Sequence, residues 1–347
     1  MNIEVDLYSD TITRPTPEMR AFMAAAEVGN EQAGEDPTVN RLCAMVAELL
    51  GKEDAVYVPS GTMCNEIAYR VHCRPGDEII LDRSGHAVHY ETGAPAALSG
   101  AMLRTIDGER GVFTADQVRA AIRTADRHHP RSRVLSVENT CNGGGGTVWP
   151  LERIHEVTAV AREHGLATHL DGARLLNAVV ASGVAARDIA APFDSAWIDF
   201  SKGLGAPVGA VLAGSAAFID EAWRWKHQFG GAMRQAGVIA AACVYALEHN
   251  VERLAEDHEN ARMLARGIAQ IPGIVLDPEV IETNMVFFDV SATGMDARGV
   301  HERLLERGVR IGVNAPTRMR AVTHLDVDRA GVEAAVAALG AVVGDAG

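Results

Sequence analysis

Short runs of apolar residues alternate with amphipathic stretches through the middle of the chain. The amphipathic stretches predict helices: residues 151–164 repeat apolar positions at helical spacing and stop at Gly165, and residues 41–50 stop at Gly51 in the same way. The apolar runs predict strands at residues 55–58, 78–81, 134–137, 166–170, 196–200 and 209–213. Short strands that alternate with helices are typical of a mostly parallel sheet covered on both faces, so we expect an α/β fold.

Near Asn250 the pattern changes. A long helical stretch over residues 237–269 is interrupted there. The chain beyond it predicts strands at residues 285–288 and 320–323 and helices at residues 298–306 and 329–342. This α+β pattern of about 90 residues is long enough for a small domain. We therefore expect an N-terminal segment plus a large domain over residues 1–250 and a small C-terminal domain over residues 251–347.

The composition narrows the possible partners. Hydrophobic residues make up 48% of the 347 residues, as in an ordinary globular protein, and the formal net charge is −14. That charge disfavours nucleic acid and anionic membranes, because phosphate binding needs a basic face. Neither a membrane span nor a secretory signal is predicted, because no apolar run reaches ~18 residues and the first residues lack a basic segment followed by an apolar one. Five cysteines without a C-x-x-C pair favour free thiols in a reducing cytoplasm.

Lys202 is one of only three lysines in a chain with 29 arginines. Arginine cannot form an imine, whereas a lysine amine can condense with an aldehyde. Lys202 lies in a Gly-rich turn after one predicted strand, and Asp171 ends the predicted strand before it. This pair indicates a pyridoxal 5'-phosphate (PLP) site, in which Asp171 would keep the ring nitrogen protonated and Lys202 would carry the cofactor as a Schiff base.

Other candidate site residues can be interpreted in two ways when taken alone, and the Asp171–Lys202 pair favours the functional interpretation. Gly61 and Thr62 open a predicted helix, where backbone N–H groups favour a phosphate, although the same residues could begin a helix in any α/β protein. His86 could stack on an aromatic ring or accept a proton, whereas a lone histidine is more often structural. Arg234 could contact phosphate and Arg320 could bind a carboxylate, or both could face water. The histidines form no recognisable ligand set with acidic residues, so no metal site is predicted.

The chain also carries a series of short motifs in a fixed order. They are Ser9-Asp10-Thr11, Gly34-Glu35-Asp36-Pro37, Pro59-Ser60-Gly61-Thr62-Met63, Glu138-Asn139-Thr140, Asp171-Gly172-Ala173-Arg174, Ser201-Lys202-Gly203-Leu204, Met233-Arg234-Gln235-Ala236-Gly237, Asp257-His258-Glu259-Asn260-Ala261-Arg262 and Val322-Thr323-His324. In this order they resemble the L-threonine aldolases, PLP enzymes of fold type I (aspartate aminotransferase-like), nearly end to end. The resemblance implies a mostly parallel seven-stranded sheet in the large domain and a smaller α+β C-terminal domain.

The resemblance also implies roles for single residues. The catalytic residues would be Lys202, Asp171 and His86, with His86 stacked on the cofactor ring near the substrate hydroxyl. Cofactor contacts would come from Gly61, Thr62, His86, Asp171, Arg174, Lys202 and Arg234, the last reaching it from a neighbouring subunit. Substrate contacts would come from Ser9, Tyr90, Cys141, Arg174 and Arg320.

The implied reaction is PLP-dependent retro-aldol cleavage of L-β-hydroxy-α-amino acids to glycine and an aldehyde. Threonine, allo-threonine and the bulkier phenylserine are candidate substrates. A homodimer or homotetramer with active sites at the dimer interface is expected. Two alternatives stay open: another PLP carbanion reaction (β-elimination, racemisation or amino transfer), and a PLP-binding protein with little catalysis.

Three positions that would surround the substrate depart from the family pattern. Tyr8 stands where many members have arginine, Ala33 where many have tyrosine, and Cys141 where many have histidine. Cysteine cannot replace histidine as a positively charged donor, and it is smaller and more apolar. We expect the lost tyrosine and histidine bulk to open the pocket to larger β-hydroxy amino acids.

Overall fold

The computed structural model describes residues 2–345, which form two sheets with helices packed around them. The strands are β1 (Val5–Leu7), β2 (Asp54–Val58), β3 (Glu78–Asp82), β4 (Met102–Ile106), β5 (Ser132–Glu138), β6 (Ala167–Asp171), β7 (Ser195–Asp199), β8 (Ala210–Gly214), β9 (Val275–Leu276), β10 (Met285–Asp289), β11 (Val309–Val313) and β12 (Arg318–Val322). The helices are α1 (Pro17–Ala24), α2 (Pro37–Leu50), α3 (Gly61–His72), α4 (His86–His89), α5 (Ala94–Ser99), α6 (Ala115–Ala121), α7 (Leu151–Glu163), α8 (Leu175–Ser182), α9 (Ala186–Ala190), α10 (Ala216–Gln228), α11 (Gly237–His249), α12 (Leu254–Ile268), α13 (Ala297–Glu306) and α14 (Arg329–Gly344). Short 3₁₀ turns lie at Asp10–Ile12, Glu31–Ala33 and Ser291–Thr293.

The larger sheet confirms the predicted mostly parallel, seven-stranded architecture. Its order in the described chain is β2-β8-β7-β6-β5-β3-β4. Strand β8 runs in the opposite direction to the other six strands, which are parallel to one another. Strands β3, β7 and β8 are buried along their whole length, because helices cover both faces of the sheet. The apolar runs of the sequence predict these strands but not β4, an edge strand whose residues are mostly exposed or half-buried.

Local sequence signals explain where helix α2 begins and ends and where α11 gives way to α12. Asp36 caps α2 by accepting the backbone N–H groups of Thr38 and Val39, and Gly51 ends the helix in the left-handed conformation with φ of 63°.

The predicted break at Asn250 separates α11 from α12. Asn250 donates its side-chain amide to the Leu204 carbonyl oxygen at 2.7 Å. The break between these helices therefore fixes the loop that carries Lys202.

The smaller sheet combines the two ends of the chain. Its order is β1-β11-β12-β10-β9, with β1 parallel to β11 and Val5 opposite Val309. Leu7 packs in the same apolar cluster as Leu264 and Phe288. β1 thus pairs with a strand of the C-terminal part, and the expected division into residues 1–250 and 251–347 stays a prediction. The α+β character predicted for the C-terminal part is present.

The helices around these sheets are short. α14, with 16 residues, is among the longest. No helix within residues 2–345 has both the length and the apolarity needed to cross a bilayer.

Candidate active site

The carboxyl ends of three neighbouring strands place acidic residues at one edge of the large sheet. β5 ends at Glu138, β6 at Asp171 and β7 at Asp199. Glu138 and Asp171 lie opposite each other on adjacent parallel strands. Ligand crevices of open α/β sheets lie at this edge. It is therefore the candidate active site.

Asp171 is buried and makes no salt bridge within residues 2–345. Its Oδ1 accepts the Ala173 backbone N–H at 3.0 Å, and its Oδ2 accepts the Asn65 Nδ2–H at 2.9 Å. Burial raises the pKa of Asp171, and the hydrogen bond from Asn65 opposes that rise. A buried acid with neutral donors around it is complementary to a ligand N–H that carries positive charge.

Asn65, on α3, connects several groups beneath the cleft. Its Nδ2 donates to Asp171 and, at 2.8 Å, to Glu91 Oε1. Its Oδ1 accepts the Trp197 Nε1–H at 2.8 Å and contacts His169 Nε2 at 3.0 Å. A tryptophan N–H can only donate, so the orientation of the amide is fixed by its partners. His169 must then carry its proton on Nε2, and burial, which lowers the pKa of His169 to about 3, keeps the ring neutral.

His86 begins α4 with both its backbone and its ring bound to acids. Its backbone N–H donates to Glu138 Oε2 at 2.7 Å, and its Nδ1 lies 2.8 Å from Glu91 Oε1. Burial acts to lower the pKa of His86, but the hydrogen bond to Glu91 and the nearby Asp171 outweigh it and raise the pKa above 6.5. Since Glu91 accepts a hydrogen bond from Nδ1, Nε2 is the ring nitrogen left for a ligand in the cleft.

Lys202 lies in the loop between β7 and β8. Its side chain is 16% exposed, and its Nζ is 3.1 Å from Asp199 Oδ2. Asp199 is held in turn by the backbone N–H and the hydroxyl of Ser201, at 2.8 and 2.7 Å. The amine is therefore positioned beside an acid at the edge of the cleft.

The N-terminus of α3 faces the same cleft. A Cβ at Gly61 would lie 2.3 Å from Trp197 Cη2, so only glycine fits there without movement of the indole. Ser60 caps the helix by accepting the Met63 backbone N–H at 3.2 Å. The N–H groups of Gly61 and Thr62 belong to the first turn, which has no intrahelical acceptors and favours an anion.

Two arginines enter the cleft from the opposite side. Arg174 is buried and makes a bidentate pair with Asp10, with N···O distances of 2.7 and 2.6 Å. Arg320, on β12, donates to Asn142 Oδ1 at 3.1 Å and makes no salt bridge within the described chain. Burial first and the nearby Arg174 second lower the pKa of Arg320. A ligand carboxylate between the two guanidinium groups would relieve this repulsion.

Two adjoining cavities divide the cleft. The first has a volume of about 290 Å³, and its lining includes Gly61, Thr62, Asn65, Asp171 and Asp199. The second has a volume of about 340 Å³, and its lining includes Ser9, Tyr90, Asn142, Arg174 and Arg320. Thr11, His86 and Lys202 line both. Of the residues predicted from the sequence, these cavities bring together Ser9, Gly61, Thr62, His86, Tyr90, Asp171, Arg174, Lys202 and Arg320.

Cys141 and Arg234 are not brought into the cleft. Cys141 is 3% exposed, and its Sγ accepts the Trp149 Nε1–H at 3.1 Å within the large-sheet core. Within the single chain Cys141 therefore packs in the core, and its predicted substrate contact stays a prediction. Arg234 is exposed and donates to Gln32 Oε1 at 3.1 Å, so within one chain it does not reach the N-terminus of α3. Ala33 is also exposed and does not line either cavity.

Sequence reasoning missed four polar residues that hold the site together. Asn65, Glu91, Glu138 and Asp199 all contact a predicted site residue. Glu138 and Asp199 could have been found, since Glu138 directly follows the predicted strand 134–137 and Asp199 lies near the end of the predicted strand 196–200. Asn65 and Glu91 carry no such signal, because one lies inside a helix and the other in a loop.

Comparison with known proteins adds independent information on the family. A family model described as β-eliminating lyase matches residues 6–291. The chain is 42% identical to a probable low-specificity L-threonine aldolase 2 of Arabidopsis thaliana, over 95% of this chain and 94% of that protein. It is 43% identical to a low specificity L-threonine aldolase of Escherichia coli K12, over 94% of this chain and 95% of that protein.

A solved structure supports the architecture. A threonine aldolase of Leishmania major superposes with a TM-score of 0.84, covering 98% of this chain and 99% of that one at 23% identity. At that identity the likeness concerns the fold alone. It confirms the fold type I architecture expected from the sequence.

Proposed function

This chain belongs to the β-eliminating lyase family and, within it, to the L-threonine aldolases, and we propose that it cleaves L-threonine and related L-β-hydroxy-α-amino acids to glycine and an aldehyde with PLP as cofactor. The observation that carries this proposal is the convergence of Lys202, His86 and Thr11 on the wall shared by two cavities. One cavity offers an acid and a helix N-terminus, and the other offers two arginines. The alternative carbanion reactions are not favoured by these relatives, which are aldolases by name.

The residues of the first cavity fit PLP. Asp171 is a buried acid without a cationic protein partner in residues 2–345, which suits a protonated pyridine nitrogen. Gly61 and Thr62 would hold the phosphate at the N-terminus of α3, where the absent Cβ of Gly61 lets the Trp197 indole pack against the first turn. Lys202 supplies the amine that can bind an aldehyde. When bound, PLP supplies an electron-accepting ring for the electrons of the breaking Cα–Cβ bond.

Arg174 and Arg320 would bind the substrate carboxylate in the second cavity. Asp10 occupies Nε and one terminal nitrogen of Arg174, which leaves the other terminal nitrogen for a ligand. Arg320 donates a hydrogen bond to Asn142 and lacks an acidic partner in the described chain. A carboxylate held at two points orients the bond that is to break, and this orientation lowers the barrier.

His86 would remove the proton of the β-hydroxyl group. Its Nδ1–H is held by Glu91, so a neutral ring presents the lone pair of Nε2 to the cleft. The raised pKa of His86 makes that nitrogen a stronger base than an ordinary histidine. Glu91 also stabilises the imidazolium that forms once the proton has moved.

We further propose a homodimer or homotetramer in which Arg234 reaches the phosphate of a neighbouring subunit. Its exposure on the single chain leaves it available for such a contact. We also propose a small amino-acid substrate and a reducing, cytoplasmic setting, in keeping with five free cysteines.

Product release tests the proposed function. Purified PLP-loaded protein should release glycine and an aldehyde in equal amounts from L-threonine, L-allo-threonine and phenylserine. Lys202→Arg keeps the positive charge but cannot form an imine, so it should abolish release. Keto-acid formation, or PLP binding without turnover of any of the three, would overturn the proposal.

A further inference from the structure

Three buried carboxylate oxygens near the candidate site have no hydrogen-bond partner in the described chain. They are Oε1 and Oε2 of Glu66 and Oε2 of Glu91. Buried acceptors without donors are rare, because each loses its hydration without compensation. These three atoms therefore need an explanation that the catalytic roles proposed above do not supply.

Glu66 lies on α3, directly after Asn65, and is 1% exposed. This burial arises within a single chain, so a neighbouring subunit cannot supply the missing donor. Glu66 also makes no salt bridge within residues 2–345. An ionised carboxylate in such surroundings is strongly disfavoured, whereas a neutral carboxylic acid needs no countercharge.

One proton on Glu66 would give two of the three unpartnered oxygens a hydrogen-bond partner. A protonated Glu66 becomes an O–H donor, and the unpartnered Oε2 of Glu91 is an acceptor. Burial first and the Glu91 carboxylate second raise the pKa of Glu66 to about 9. Two adjacent carboxylates that share one proton behave in this way.

We infer that Glu66 is a positioning residue that keeps its proton at neutral pH and donates an O–H hydrogen bond to Glu91. This hydrogen bond fixes the carboxylate that holds His86. The inference depends on the proposed function in one respect, namely that His86 acts as the catalytic base. With this bond, Oε2 of Glu91 is satisfied by Glu66, and Oε1 accepts from Asn65 and His86 at 2.8 Å each. Both oxygens of the acid that sets the charge on His86 are then fixed.

The titratable groups around the pair determine how it responds to pH. Tyr69 lies one turn from Glu66 on α3, and burial first and Glu91 second raise its pKa, so it stays neutral. Glu91 also contacts His86, and Asn65 links Glu91 to Asp171. Loss of the Glu66 proton would place a second negative charge beside Glu91. The shared proton therefore limits the negative charge that acts on His86.

Infrared spectroscopy of the apoprotein tests the first half of the inference. At pH 8, where Glu138 is largely ionised because burial raises its pKa only to about 7, the wild type should show the carbonyl stretch of a protonated carboxylic acid, and Glu66→Gln should weaken that band. Glu259→Gln is the matched control, because Glu259 is exposed and paired with arginines. An unchanged band in Glu66→Gln would overturn the inference.

Histidine NMR tests the second half without using activity. In Glu66→Gln the amide N–H replaces the acid as donor to Glu91, so the titration of His86 should stay close to that of the wild type. In Glu66→Leu the donor is lost, the full charge of Glu91 acts on His86, and its pKa should rise by ~0.5 units or more. Unchanged titration of His86 in Glu66→Leu would leave Glu66 a packing residue and contradict the inference. A positive result in both spectra with no aldolase activity would instead sink the proposed function alone.

Discussion

Glu91 Oε1 lies 2.8 Å from His86 Nδ1, and the same oxygen accepts the Asn65 amide, which also binds Asp171. One carboxylate thus connects the proposed base to the acid proposed to hold the cofactor ring. The link fixes which ring nitrogen of His86 faces the cleft and raises the pKa of that ring.

Removing the charge of Glu91 should shift the acid limb of the pH–rate profile. A base loses activity as the pH falls through its pKa, and Glu91 holds the pKa of His86 above 6.5. In Glu91→Gln the acid limb of kcat/KM should therefore move to lower pH by about 1 unit. Glu259→Gln serves as the exposed control. An acid limb that stays in place would mean that another group provides the base.

Gly61→Ala should impair PLP binding. The new Cβ would lie 2.3 Å from Trp197 Cη2 and would push the indole or the first turn of α3 out of place. We expect the dissociation constant for PLP to rise at least ~10-fold, which corresponds to a loss of ~1.4 kcal/mol of binding free energy. Absorbance titration measures this constant. Gly340→Ala on α14 is the matched control, because its Cβ would meet only one atom, at 4.0 Å. Equal PLP affinity in the two variants would contradict the phosphate role of Gly61.

Arg174→Gln should destabilise the fold as well as the site. The change leaves Asp10 buried with its charge uncompensated, and breaking such a pair typically costs about 3–5 kcal/mol. Arg14→Gln is the control: Arg14 pairs with Asp326 but its side chain is 83% exposed, so its loss should cost less than ~1 kcal/mol. Urea unfolding at pH 7 measures both.

The pH dependence of this cost has a defined sign. Burial acts to raise the pKa of Asp10, and Arg174 outweighs it and holds the pKa well below its usual range. The stability from the pair is therefore present above the unfolded pKa of aspartate and is lost as the pH falls through the folded value. The difference between the wild type and Arg174→Gln should shrink in acid. A difference that does not depend on pH would contradict the charge argument.

Much of this site could be predicted from the sequence, because Asp171 and Lys202 follow apolar runs that predict buried strands. The carboxyl ends of such strands meet at one edge, which brings the two residues together although 31 positions separate them. Neither the pairing of β1 with β11 nor the role of Glu91 could be predicted. The first depends on residues about 300 positions apart, and the second on the burial of an acid whose sequence context is ordinary.

Cys141 shows a further limit of motif comparison. The departure from histidine is visible in the sequence, but in the structure the thiol accepts a hydrogen bond from Trp149 in the core and does not line the cleft. Cys141→His should therefore overpack the core and cost about 1–3 kcal/mol, since a Cβ at neighbouring Gly111 would already lie 2.7 Å from the thiol. Cys141→Ser, which keeps the size, should cost less. A stable Cys141→His variant with reduced preference for phenylserine would restore the substrate role.

Borohydride reduction followed by peptide mapping tests the central claim most directly, because it identifies the residue that carries the cofactor. Reduction of the PLP-loaded protein should attach the pyridoxyl group to the peptide that contains Lys202 and leave Lys52 and Lys226 unlabelled. Addition of L-allo-threonine before reduction should lower the labelling of Lys202, because the substrate amine competes for PLP. Labelling of another lysine, or none, would contradict the account of this cleft.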